Sequence, residues 1–426
     1  MKQFLAACFV AFLISAPAAL SQDIHPSAQA ELQSLLKLDE AAKKAGDSHG
    51  RLKVALRIRG LLNDASDAVL LLASDYSAIK DTAHTIAMLA AFADLGQGGD
   101  NVCKGDNIKF GWLGKNAAFK AICARLRQNE QPISVAKIAF SIPDTVAIPE
   151  DIDYDRISNT FLLTSILNRR IFRVGWDGQY SAFASSPSGW PMMAIKIDSL
   201  RGLVWATEVA LHGFMIVPKP DWDRSAILCF GLSDGRLIKR IEGPRGAALG
   251  DMVLDSEGRP VVSDGTNGGI YLLDDDSLAR IDKGDFISPQ TMTLSADRKH
   301  LIVPDYARGI GIMDLASRSV KWMRNGIAAK CPVNGIDGIY VDKEDLFITQ
   351  NGVNPQQVTD IRLDSGMNRI IASRIILRDA VRCDPTHGVM VDGNFYFIAN
   401  SGWNRIDDSG QLKNGVTLGN AKVMRY

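Results

Sequence analysis

The stretch that decides the fold begins Pro149-Glu150-Asp151-Ile152-Asp153-Tyr154-Asp155 and continues with Phe161-Leu162-Leu163-Thr164-Ser165 and Ile171-Phe172-Arg173-Val174. Short apolar runs separated by tight polar turns are typical of antiparallel strands. The opening step, apolar-x-apolar-Asp, recurs along the chain. Its last residues, which we call the anchors, are Asp155, Asp198, Asp255, Ser295, Asp342 and Asp392.

The anchors are 40 to 57 residues apart. A repeat of this length with several strands per unit is the signature of a β-propeller. One blade cannot bury both of its faces, so blades must stack around an axis. The sequence therefore predicts a mostly β protein whose main domain, residues 131–426, is a six-bladed β-propeller. The apolar runs at residues 135–140 and 421–426 are expected to share the sixth blade, since a closed ring joins its ends.

Residues 22–130 show a helical pattern, with apolar residues three and four positions apart. The segments that start at Asp47 and Asp81 align with an offset of 34 residues, which is the tetratricopeptide period. We therefore predict a small α-helical, tetratricopeptide-like domain that precedes the propeller. It is either a groove for a protein partner or a cap that shields a blade edge, and the small number of repeats favours the cap.

The charge composition and the N-terminal segment limit the classes of function that the protein can have. Lys plus Arg and Asp plus Glu both number 48, which removes the electrostatic argument for a nucleic-acid partner. Residues 1–21 combine Lys2, a short apolar run and a small-x-small site that ends at Ser21, the pattern of a cleaved signal peptide. The apolar run is too short to span a bilayer, and no other segment resembles a membrane span. The protein is expected to be exported, either to a periplasm or to the medium.

Export permits disulfides. Cys103 and Cys123 are close in sequence and could pair locally, whereas Cys331 and Cys383 open neighbouring blades and could link them. Cys229 lies in an apolar run and is expected to be a buried free thiol. Sequence alone does not fix these pairings.

The positions five residues before the anchors should be equivalent to one another. We call them the ring positions: Glu150, Met193, Gly250, Gln290, Asp337 and His387. They begin the inner strands and are expected to surround one mouth of the central channel. The second strands end at the same mouth, with polar side chains at Ser165, Thr207, Asp264, Asp305, Gln350, Asn351 and Asn400. Such a set of carboxylate and amide oxygens suits a hard divalent cation, Ca²⁺ rather than Zn²⁺.

A structural interpretation competes with this one, because Asp and Asn at strand ends often bond the backbone of the turn. It accounts for the Asp anchors and could also account for Asp264 and Asp305. It explains Glu150 and Asp337 less well, since both residues open an inner strand after a loop. For His387, a hydrogen-bonded structural role is favoured. The sequence contains no H-E-x-x-H helix, P-loop or G-x-G-x-x-G motif.

Over about residues 135–426, the chain resembles the gluconolactonase and regucalcin (senescence marker protein) family. The resemblance is carried by the first quoted stretch and by Gly250-Asp251-Met252-Val253-Leu254-Asp255, Pro289-Gln290-Thr291, Asp337-Gly338-Ile339 and Phe397-Ile398-Ala399-Asn400-Ser401. It implies a six-bladed propeller with a lactonase site whose divalent cation is held by a Glu, an Asn and an Asp. These positions correspond to Glu150, Gln290 and Asp337. A further family Asn is Gly250 here, while the following Asp251 is retained.

The combined expectation is an exported, metal-dependent hydrolase of a lactone or similar small ester. Glu150, Gln290 and Asp337 would hold the cation, and Asp337 or Asp251 would act as the general base. The residues expected to line the mouth beside them are His387, Asp264, Asp305, Asn351 and Asn400. The alternative is a non-catalytic propeller that binds a ligand and meets a protein partner through its helical domain.

Overall fold

The computed structural model describes residues 27–99, 101–325, 331–379 and 383–426. The predicted signal peptide lies outside these residues. Within them, no helix combines the length and the apolar character needed to cross a membrane. The strands form a six-bladed β-propeller that follows a group of helices, as the sequence predicts.

The chain divides into two compact units. The first contains Phe140–Ser288 and Ser401–Lys422 together with the described residues up to Gln29, and the second contains Ala30–Ala139, Pro289–Asn400 and Val423–Tyr426. The first three blades therefore belong to the first unit, and the fourth and fifth blades belong to the second unit together with most of the helical region.

Five α-helices precede the strands in the described part of the chain: α1 (Ala28–Lys44), α2 (Ser48–Leu61), α3 (Ser66–Ala78), α4 (Thr82–Asp94) and α5 (Ala117–Asn129). Asp47 caps α2 by accepting the N–H of Gly50, and Asp81 caps α4 by accepting the N–H of His84. The two segments aligned in the sequence thus begin with the same cap chemistry. The tetratricopeptide assignment itself stays a prediction.

Helices α3, α4 and α5 share an apolar core that includes Leu89, Phe92 and Leu126. A disulfide joins Cys103 to Cys123 next to this core, which confirms the predicted local pairing. Cross-linking two positions 20 residues apart restricts the unfolded chain more than the folded one and so stabilises this region.

After the helices come two short strands, β1 (Ile133–Ser134) and β2 (Lys137–Ile142). Blades one to three follow as antiparallel four-stranded sheets. Their strands are β3 (Pro149–Asp155), β4 (Thr160–Ser165), β5 (Arg170–Val174) and β6 (Tyr180–Ser185); β7 (Met192–Asp198), β8 (Leu203–Val209), β9 (Ser225–Gly231) and β10 (Leu237–Glu242); and β11 (Leu249–Leu254), β12 (Pro260–Asp264), β13 (Gly269–Asp274) and β14 (Ser277–Arg280).

Blades four to six complete the set. Their strands are β15 (Thr293–Leu294), β16 (His300–Asp305), β17 (Gly309–Asp314) and β18 (Val320–Trp322); β19 (Arg324–Asn325), β20 (Ile336–Asp342), β21 (Asp345–Gln350), β22 (Gln357–Leu363) and β23 (Arg369–Arg378); and β24 (Gly388–Val391), β25 (Asn394–Ile398) and β26 (Ala421–Arg425). β1 extends the fifth sheet at β23. The sixth sheet has the order β2-β26-β25-β24, so the two ends of the propeller sequence share one blade as predicted.

The anchors end the inner strands or directly follow them, and the side chains of several anchors bond the backbone of the turns. Asp155 accepts the N–H of Ile157 at 3.0 Å, and Asp255 accepts the N–H groups of Glu257 and Arg259 at 2.8 and 2.9 Å. The turn interpretation of the anchors is therefore confirmed at these positions.

The predicted link between Cys331 and Cys383 is wrong, because both thiols are free and buried. Cys331 packs in an apolar cluster with Ile336 and Ile348, whereas Cys383 packs in another cluster with Phe397. Each thiol thus occupies the core of its own cluster, and burial raises the pKa of both. Cys229 is a buried free thiol, as expected.

Within the second unit, the helical region is hydrogen-bonded to the loops of the propeller. Asn334, which precedes β20, accepts the N–H and the hydroxyl of Ser66 at 3.1 Å each. The N–H of Gly98 donates to the carbonyl of Asn354 at 2.6 Å. These bonds attach the helical region to the propeller loops, and the choice between a cap and a groove for a partner stays a prediction.

Candidate functional site

The ring positions have a common structural basis, since four of the inner strands carry a β-bulge near their first residues. The register shifts lie between Pro149 and Ile152 in β3, Met192 and Ile195 in β7, Leu249 and Asp251 in β11, and Ile336 and Gly338 in β20. The ring positions Glu150, Met193, Gly250 and Asp337 fall inside these shifts. A bulge redirects side chains at the end of a strand and is common next to binding sites.

Threonines of the second strands stabilise the bulges in the first unit. The hydroxyl of Thr164 accepts the N–H of Asp151 at 2.9 Å and donates to the carbonyl of Met193 in the following blade. Thr207 donates in the same way to the carbonyl of Gly250 at 3.4 Å. Each hydroxyl therefore connects the bulge of its own blade with that of the next. We assign Thr207 this structural role.

Asp337 is a buried carboxylate whose orientation is fixed by a chain of hydrogen bonds. The side-chain amide of Asn351 donates to Oδ2 of Asp337 at 2.8 Å, and the hydroxyl of Tyr306 donates to Oδ1 of Asn351 at 2.9 Å. Asn351 was expected at this mouth, whereas Tyr306 was not. The predicted residue Asp337 is thus supported by two partners from neighbouring loops.

His387 lies beside Asp337, directly before β24, and is buried. One ligand atom of its imidazole and one carboxylate oxygen of Asp337 lie within 4.8 Å of each other. The hydroxyl of Tyr340, three residues after Asp337, accepts the N–H of Gly388 at 2.8 Å and so joins β20 to the segment that carries His387. The pair offers two of the side chains that bind divalent metals most often.

Gln290 lies in the same neighbourhood through its backbone. The N–H of the next residue, Thr291, donates to the carbonyl of Asp337 at 3.1 Å, and the N–H of Ile339 donates to the carbonyl of Thr291 at 3.1 Å. The start of blade four therefore pairs with the start of blade five at the ring positions.

Glu150 occupies the ring position of the first blade, within the first unit. Its carboxylate is buried and accepts a hydrogen bond from the indole N–H of Trp403. Trp403 lies in the loop between β25 and β26, outside the repeated strands. Sequence reasoning missed it because it is 253 residues from Glu150 and belongs to no repeat.

Charged residues that follow the ring positions in the inner strands β3, β7 and β11 form an ionic cluster. The ammonium group of Lys196 lies 2.7 Å from Oδ2 of Asp151, and the N–H of Ile195 donates to that same oxygen at 2.9 Å. Burial alone would lower the pKa of Lys196, but the charges of Asp151, Asp153 and Asp251 outweigh it and the pKa is raised. Burial raises the pKa of Asp153 to about 6. The predicted residue Asp251 is thus part of the field around a buried ammonium group.

The remaining predicted mouth residues differ in their contacts. Asp264 accepts the N–H groups of Ala248, Thr266 and Asn267 at 3.0 to 3.1 Å, and Asp305 accepts those of Ala307 and Arg308 at 3.0 Å each. These bonds favour the turn interpretation for both carboxylates. Asn400 forms a parallel backbone bridge with Asp384.

Neither a family model nor a curated protein matches this chain. Solved structures similar to it include a gluconolactonase from Xanthomonas campestris, with 15% identity, a TM-score of 0.46 and coverage of 67% of this chain and 88% of the other. They also include a PQQ-bound aldose sugar dehydrogenase from Streptomyces coelicolor, with 12% identity, a TM-score of 0.45 and coverage of 69% and 99%. A virginiamycin B lyase from Staphylococcus aureus shows 14% identity, a TM-score of 0.45 and coverage of 70% and 98%. Likenesses this distant carry no argument about activity.

Proposed function

We propose that the protein is a divalent-metal-dependent hydrolase of a lactone or a similar small ester. The observation that supports this most is the buried pair of Asp337 and His387, with ligand atoms within 4.8 Å and the carboxylate oriented by Asn351. In a propeller, the starts of the inner strands face one end of the central channel. We therefore propose Glu150 as the third ligand and Gln290 as a further oxygen donor.

The donor chemistry fits a divalent cation. Carboxylate and amide oxygens suit Ca²⁺, which is the ion expected from the oxygen donors alone. An imidazole in the set also suits Mn²⁺ or Zn²⁺. Bound by these side chains, a divalent cation supplies polarisation of a substrate carbonyl and a lower pKa for a bound water.

The chain's own residues would orient the reacting groups and move the proton. Asn351 and Tyr306 hold the carboxylate of Asp337 in one orientation, and Trp403 does the same for Glu150. We propose Asp251 as the general base, because Asp337 serves as a ligand. Its carboxylate would take a proton from the attacking water and return it to the ring oxygen that leaves as the lactone opens.

The Asp337→Asn variant tests this proposal. Loss of the ligand charge should lower kcat/KM by about 10²-fold or more on a panel of five- and six-membered lactones, followed as acid release in a pH-stat. Asp342→Asn is the matched control, because Asp342 ends the same strand, β20, at the opposite end and should leave turnover unchanged. Turnover of folded Asp337→Asn within twofold of the wild type would refute the assignment.

A second candidate is a propeller that binds a ligand without catalysis. The observation in its favour is that the ring positions Met193 and Gly250 carry no oxygen or nitrogen side chain. This candidate predicts that the protein binds a divalent metal but turns over none of the lactones in the panel.

We also propose that the protein is exported after cleavage near Ser21. The disulfide between Cys103 and Cys123 supports this, since such bonds persist in oxidising compartments.

A further inference from the structure

A cavity of about 280 Å³ lies in the second unit between the helical region and the fifth blade. Helices α4 and α5 form one side of it, and strands β22 and β23 form the other. It contains none of the ring positions. The chemistry of its walls is therefore independent of the proposed hydrolase site.

One wall carries Arg378, the last residue of β23, which is 6% exposed. Its Nε donates to the carbonyl of Gln131 at 3.2 Å. Within the described residues, no carboxylate forms an ion pair with this guanidinium group. Burial alone lowers its pKa, with no opposing effect from a nearby acid. A buried charge without a counter-ion is destabilising, and an anion bound beside this guanidinium group would offset that cost.

The other charges around the cavity do not compensate for Arg378. Arg125 of α5 also lines the cavity, but it forms an ion pair with Asp94. The side-chain amide of Asn129 donates hydrogen bonds to the carbonyls of Ala93 and Gln97, at 2.8 Å each. The cavity therefore carries one net positive charge.

We propose that this cavity, the Arg378 pocket, binds a small organic carboxylate. The planar guanidinium fork matches the two oxygens of a carboxylate. Ala93 on the helical side and Ile375 on the strand side provide apolar surface, which suits the carbon chain of such a ligand and not a bare inorganic anion. The volume is at the lower limit for small-molecule sites, so the ligand has only a few carbon atoms.

Isothermal titration calorimetry of the full mature protein at low ionic strength tests the proposal, with butyrate as the probe and inorganic phosphate as the comparison anion. Saturable butyrate binding is expected in the wild type, at least tenfold tighter than any phosphate binding. Arg378→Gln should weaken butyrate binding at least tenfold. Arg374→Gln is the matched control, because Arg374 is exposed on the same strand and donates to the hydroxyl of Tyr426.

Gln128→Glu provides a second variant in case Arg378→Gln does not fold. Gln128 is exposed on α5 and lines the cavity, so the substitution adds a negative charge without disturbing the core. It should also weaken butyrate binding at least tenfold. The proposal is overturned if the wild type does not bind butyrate saturably, if phosphate binds more tightly than butyrate, or if the charge-changing variants bind butyrate as well as Arg374→Gln does.

Discussion

Asp75 lies inside helix α3 with a relative exposure of 1%. Its nearest cation is Arg51, whose Nη2 is 3.1 Å from Oδ1, and neither carboxylate oxygen accepts a well-formed hydrogen bond within the described residues. Burial raises the pKa of Asp75 from 3.8 to about 6, although Arg51 acts in the opposite direction. The folded protein therefore stabilises the neutral acid relative to the unfolded chain, and Asp75 is mainly protonated below about pH 6.

The pH dependence of stability follows from this shift. Between about pH 4 and pH 6, the folded state holds a proton on Asp75 that the unfolded state has lost, so the free energy of unfolding falls as the pH rises. Asp75→Asn does not titrate. Relative to the wild type, it should gain up to ~3 kcal/mol between pH 4 and pH 7, measured by urea unfolding at several pH values. An unchanged difference across the series would contradict the burial argument, and Asp106→Asn, at an exposed site, should follow the wild type throughout.

Among individual residues, the sequence predicts those site residues that occupy equivalent positions in the blade repeat. It does not reveal contacts made by residues outside these equivalent positions. Glu150 and Asp337 could be selected because they open inner strands at equivalent positions. Lys196 occupies the variable position of an anchor step, where the repeat pattern gives no sign that its side chain pairs with Asp151. Trp403 could not be found, because its contact with Glu150 depends on the path of a loop outside the repeats.

Helix α3 shows how an element can depend on a distant loop. Its N-cap residue, Ala65, has no side chain that could accept a hydrogen bond, and Asn334 supplies the missing acceptor from the loop before β20. Both Ser66 and Asn334 are buried. The helix terminus and the propeller loop therefore stabilise each other.

Asn334→Ala should lower the free energy of unfolding by about 1–2 kcal/mol, because it leaves a buried N–H and a buried hydroxyl without their acceptor. Ser66→Ala removes only the hydroxyl and keeps the backbone bond, so it should cost less. Urea unfolding followed by far-UV circular dichroism measures both. Equal losses of stability for the two variants would show that the hydrogen bond from the backbone N–H of Ser66 to Asn334 makes no measurable contribution.

Elements with strong local signals were predicted well. Helices α2 and α4 begin directly after Asp47 and Asp81, and the side chains of these two residues cap them. β15 has only two residues; before it, Pro289 pairs with Asp305 of β16, and Thr291 pairs with Gly338 of blade five. That pairing depends on tertiary neighbours and leaves no local pattern.

The number of blades and their closure could be predicted from the anchors, since each anchor is a local turn signal that repeats with the blade. The sheet that joins β2 to β26 follows from the need to leave no open edge. The predicted disulfide between Cys331 and Cys383 is wrong for a reason that also concerns the arrangement of the blades. Adjacent positions in the blade order do not bring two thiols together when each is buried in a different apolar cluster.

The central claim is that the ring positions hold a divalent cation, and the most direct test is the metal content of the mature protein. Native and inductively coupled plasma mass spectrometry of the wild type should give about one equivalent of Ca²⁺, Mn²⁺ or Zn²⁺ per chain. The same metal should raise the melting temperature of the metal-stripped protein. Asp337→Asn should lose both effects, because it removes the charged ligand beside His387. A wild type that binds none of these metals, or an Asp337→Asn variant that binds them equally well, would contradict the account.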